Sequence, residues 1–117
     1  MKMFALALGA AALAAPAVAQ PATTLAVKAS GGWEMICHVA ARSGEPQVVI
    51  LDAGRSSLSN GDYRNISCEQ TGSARGPMVV SISGPAACPF KGAAAGRCEQ
   101  SSASGHVGSF VVKPKRP

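Results

Sequence analysis

The chain has 117 residues, 11 Lys+Arg against 6 Asp+Glu and a formal net charge of +5, which leaves room for one small basic domain. Beyond Lys2, its positive residues are scattered (Lys28, Arg42, Arg55, Arg64, Arg75, Lys91, Arg97) apart from a cluster at Lys113, Lys115 and Arg116. Scattered charge favours solubility and weak, salt-sensitive adhesion to anions, and without interleaved aromatics it excludes a sequence-reading nucleic-acid binder.

Lys2 followed by the apolar run Met3 to Ala15 and the small residues Ala17-Val18-Ala19 is the pattern of a signal peptide. The run falls short of the roughly 20 apolar residues a spanning helix needs, so cleavage after Ala19 is expected, with no membrane span afterwards. Residues 20–112 then form a single domain and 113–117 a flexible basic tail, with a net charge near +4 once Lys2 is removed.

Within the domain, Leu25 to Ala29 reads as an edge strand after a polar lead, punctuated by Ser30-Gly31-Gly32. Trp33 to Ala41 alternates cleanly, placing Trp33, Met35, Cys37, Val39 and Ala41 on one face. Gln47 to Leu51 is a short β-branched run between breakers. Ser59 to Asp62 is a turn, with Asn60-Gly61 suited to positive φ, and it leads into a strand over Tyr63 to Gln70. Met78 to Ser83 alternates again and Gly84-Pro85 stops it. Arg97 to Ser101 and His106 to Val112 complete the set, and Pro114 and Pro117 bar continuation because proline donates no amide hydrogen.

Six or seven short strands with Gly/Pro/Asn/Asp turns predict an all-β fold, a small antiparallel β-sandwich. Gly61-Asp62-Tyr63 before a strand and the pair Cys37 and Cys68 resemble the strand entries and inter-sheet bridge of Ig-like sandwiches. Tyr63 stands five residues before its cysteine instead of two, and no tryptophan follows Cys37. The resemblance is one of architecture and implies no functional residue.

Four cysteines, all beyond the signal segment, form an even set suited to an oxidising compartment, periplasmic or secreted. Three pairings exist. The favoured one joins Cys37 to Cys68, tying two strands, and Cys88 to Cys98, closing a Gly/Ala-rich loop. On the chain-entropy model, loops of about 32 and 11 residues contribute roughly 3.5 and 3 kcal/mol, a large share of a domain's roughly 5–15 kcal/mol.

Chemistry is sparse. Cys37-His38 lacks the earlier cysteine of a Cys-x-x-Cys-His haem motif. A metal site from Cys37, His38, His106 and a methionine would need neighbours that point to opposite faces of a strand. No metal or cofactor is expected. A hydrolase would draw on His38, His106 and Asp52 or Asp62, but no Gly-x-Ser-x-Gly elbow is present.

The loop Cys88 to Cys98 is the better candidate, because closing a loop lowers the ordering cost of binding. Phe90, Lys91 and Arg97 are its candidate binding residues, with Phe90 as a cap on the core the competing reading. The leading expectation is a non-catalytic binding or inhibitor-type module facing another envelope or extracellular protein or an anionic envelope polymer. The alternatives are a structural or chaperone-like envelope protein using the strand edge Leu25 to Ala29, and a small hydrolase.

Overall fold

The structure, a computed structural model, describes residues 21–91, 93 and 96–115. The expected signal peptide, residues 1–19, lies outside these residues, as do Arg116 and Pro117 of the expected tail. Nine strands follow in chain order: β1 (Thr23–Ala29), β2 (Glu34–Ala40), β3 (Gln47–Asp52), β4 (Ser57–Asn60), β5 (Asn65–Gly72), β6 (Met78–Ser83), β7 (Ala86–Ala87), β8 (Cys98–Ser102) and β9 (Ser109–Pro114). They pair antiparallel into two sheets, one in the order β4-β1-β6-β8 and the other β3-β2-β5-β9-β7.

Period-two alternation supplies the interior, because successive side chains of a strand point to opposite faces. Leu25 and Val27 on β1, Leu58 on β4 and Met78, Val80 and Ile82 on β6 are buried from one sheet. Met35, Cys37 and Val39 on β2, Val49 and Leu51 on β3, Ile66 and Cys68 on β5 and Val112 on β9 are buried from the other. Trp33 is buried just ahead of β2, and its indole Nε1 has no partner among the described residues. Burying an aromatic of about 150–250 Å² at about 25 cal/mol/Å² is worth about 4–6 kcal/mol, more than the roughly 1–3 kcal/mol an unpaired donor costs.

Both expected disulfides are present. Cys37 and Cys68 face each other across β2 and β5, with Cα atoms 4.1 Å apart. That is the close spacing of a non-hydrogen-bonded cross-strand pair, so this bridge lies within one sheet, whereas the Ig-type bridge it resembles joins two. Cys88 follows β7 and Cys98 opens β8, so the second bridge ties one sheet to the other. The strand order departs from the Ig pattern too, since β2 and β5 share a sheet with β3, not with β1 and β4.

Three local expectations need correction. Leu25 to Ala29 belongs to an interior strand of its sheet, paired to β6 along its length and to β4 as far as Ala26, so it is not an edge strand. Gly61 does not take positive φ; the Asn60 side chain closes that turn by accepting from the Asp62 amide at 2.7 Å. The last strand runs past Val112 to Pro114, with Lys113 opposite Ala87 and Pro114 opposite Ala86. Proline is tolerated there because β7 is only two residues long and needs little from β9.

Gln70 holds the far end together. On the inward side of β5, it donates from Nε2 to the carbonyls of Gly72 and Gly105, both at 2.8 Å, and accepts from the Val107 amide at 2.7 Å. Gly105 sits at φ +78, where an added Cβ would fall 2.5 Å from the Ala74 carbonyl oxygen, so the loop before β9 can approach this closely only with glycine there.

Candidate functional site

The loop closed by Cys88 and Cys98 starts where β7 ends and returns where β8 begins, with the bridged Cα atoms 5.5 Å apart. Its return passes Gly96 at φ +81, a conformation glycine adopts without a side-chain clash. Phe90 does not stand out from the loop. Its ring is half-buried and meets Phe110 of β9 edge-on, with centroids 5.1 Å apart and planes at 68°. The core-capping reading of Phe90 therefore describes most of its surface.

Lys91 is exposed. Arg97 is also exposed, with 72% of its side chain accessible and Nη1 a long 3.9 Å from Oε1 of Glu99. Such a pair contributes little, about 0–1 kcal/mol, and leaves the guanidinium available to a ligand.

Beside the loop lies an open groove of about 790 Å³. Ser81 and Ile82 of β6, Ala86 and Ala87 of β7, the bridge itself, Phe90 and Arg97 line it, with Lys115 and Glu99 at its margin. The Lys115 amide donates to the Pro85 carbonyl at 3.0 Å, which holds that residue next to the turn between β6 and β7. Two cations against one carboxylate bias the groove towards acidic partners. Its floor is apolar where Ile82 and Phe90 meet the disulfide. Of the candidate binding residues, the structure brings Phe90 and Arg97 to the groove. Lys91 is on the same loop but not in the lining. Ile82 of β6 and Lys115, just past the end of β9, escape the sequence reading because they lie far apart along the chain.

A second, smaller cavity of about 100 Å³ is lined by Pro21, Thr23, Arg42, Tyr63, Pro85 and Lys115, among others. Thr23 and Tyr63 spend their hydroxyls on each other at 2.6 Å, a buried hydrogen bond that joins β1 to the residues before β5.

The residues of the hydrolase alternative are dispersed. His38 is exposed on the outward face of β2, opposite Val48 on one side and Ser67 on the other. His106 is in the loop before β9, with Nδ1 3.4 Å from the Ser73 hydroxyl. Asp52 accepts from the Gly54 and Arg55 amides of its own turn, and Asp62 accepts from the Ser43 hydroxyl at 2.9 Å. Among the described residues no hydrogen bond joins either histidine to either carboxylate, and no group of three or more His, Cys, Asp or Glu side chains is placed to hold a metal ion. Cys37 is committed to its bridge and offers no thiolate.

Fold and groove together define a disulfide-stapled, all-β protein of two antiparallel sheets. No protein-family model matches this chain, and comparisons with curated proteins and with solved structures find no match.

Proposed function

We propose that this chain is an exported, non-catalytic binding module of the periplasm or extracellular space, made with residues 1–19 as a cleaved signal peptide. The observation that carries the reading is the groove against the Cys88–Cys98 bridge, with an apolar floor and the exposed guanidinium of Arg97 at its side. A disulfide-closed loop keeps such a groove organised before a partner arrives, which lowers the entropy lost on binding. Two bridges in a chain with no free cysteine favour an oxidising location, and no helix among the described residues is long and apolar enough to cross a membrane. Likeness to Ig-type modules extends to layered sheets alone.

The partner is an acidic protein surface or an anionic envelope polymer that sets a hydrophobic group on Ile82 and Phe90 while pairing with Arg97 and Lys115. Capture from envelope extracts with wild type and with an Arg97→Glu, Lys115→Glu variant tests this. Both side chains are exposed, so the variant keeps the fold, and its yield of captured partner is expected to drop at least about tenfold, or about 1.4 kcal/mol. Equal yields of the same partners from the two proteins would remove the groove from the binding surface.

A further inference from the structure

Four strands lie at the margins of the two sheets, and three of them are poor templates. β4 has four residues and β7 two, and β8 presents Glu99 and Gln100 among serines. β3 is different. It is six residues long, reads Gln-Val-Val-Ile-Leu-Asp, and contains none of the proline, lysine or bulge that usually blunts an edge. Val48 and Ile50 are 61% and 49% exposed on its outward face, beside half-buried Ile36 of β2.

The hydrogen-bonding direction of this edge follows from its end. Asp52 exchanges both backbone bonds with Arg55, on the side away from β2. Antiparallel ladders alternate, so Ile50 and Val48 also aim their N–H and C=O groups away from β2. No backbone or side-chain partner takes those groups among the described residues.

We infer that β3 pairs antiparallel with β3 of a second copy of this chain, about a two-fold axis at Val49. In that register Val48 of each copy meets Ile50 of the other, which is a hydrogen-bonded pair in both halves, so the outward groups of all four residues are satisfied. The same pairing sets exposed Val48 against exposed Ile50 on the outward face and Val49 against its counterpart on the inward face. The edge is therefore self-complementary, as a two-fold interface must be.

The ends agree with the register. Pro46 falls opposite the partner's Asp52, where Pro46 has no N–H to place and Asp52 has already used its groups on Arg55. The strands part there, bringing exposed Glu45 to the neighbourhood of the partner's exposed Arg55, an opposite-charge pair at each end.

Molar mass of the purified, disulfide-bonded protein against concentration, measured by light scattering or sedimentation, tests the pairing. The expected result is a rise from monomer to twice that mass. Replacing Val48→Lys with Ile50→Lys puts like charges directly opposite each other and is expected to weaken association at least about tenfold. Val48→Lys with Ile50→Glu sets opposite charges face to face in the same register and should recover it. All three substitutions are on an exposed face, and a cooperative thermal transition with an unchanged midpoint, compared at a concentration where wild type is monomeric, checks that each variant is folded. A wild type that is monomeric at every concentration overturns the inference and leaves the edge to a strand of another protein. Equal association of the two variants overturns the register.

Discussion

The two disulfides are in regions built on different plans. Cys37–Cys68 lies within a single sheet, with both residues buried and a central strand on either side. Cys88–Cys98 lies where the two sheets part, beside an open groove, and Cys88 is exposed. One cross-link is part of the interior, and the other holds the rim of a surface feature. Function is more easily accommodated at the rim, because changes there leave the interior packing alone.

The largest effect expected from breaking this contrast comes from Cys37→Ala with Cys68→Ala. Loss of the longer loop constraint costs about 3.5 kcal/mol on the chain-entropy model, and a cavity between β2 and β5 adds to it. Denaturant unfolding should show most of the domain's stability gone. Cys88→Ser with Cys98→Ser should cost less, about 2–3 kcal/mol. It should also increase hydrogen exchange in β8 and at the groove while leaving β2 and β5 protected, an asymmetry that would vanish if both bridges served the same packing unit. Smallest of the three is Gln70→Leu, similar in size to the native side chain. It strands the Val107 amide and the Gly72 carbonyl, so a loss of about 2 kcal/mol is expected in the same unfolding measurement.

Much of the secondary structure is legible in the residue pattern. Met35, Cys37 and Val39 alternate inward as their spacing requires, and Met78, Val80 and Ile82 do the same. The disulfide pairing is legible for a related reason, since Cys37 and Cys68 each sit on the apolar side of an alternating run. β4 escapes notice because Ser-Leu-Ser-Asn carries one apolar residue, and its strand character comes from Leu25 and Ala26 across the ladder. The free edge is placed wrongly from sequence for a similar reason: whether Leu25 to Ala29 has one neighbour or two depends on strands about 30 and 55 residues away.

The candidate site is half legible. The closed loop and Arg97 can be read directly, but a groove lined by β6, β7 and β8 together cannot. Gln70 did leave a signal, a polar residue in phase with buried Ile66 and Cys68, and a polar side chain on that face must find partners in the interior.

The strand order also governs how the protein reaches this state. Among the described residues, only β2 and β3 are neighbours both along the chain and in a sheet; every other ladder joins segments separated by at least one intervening strand. Chains of such high contact order fold slowly, in roughly milliseconds to seconds. Cys88 and Cys98, 10 residues apart, meet more often while the chain is still searching than Cys37 and Cys68, 31 apart, whose lasting approach comes with the pairing of β2 and β5. Oxidative maturation therefore has a built-in order, with the rim sealed first and the interior sealed last.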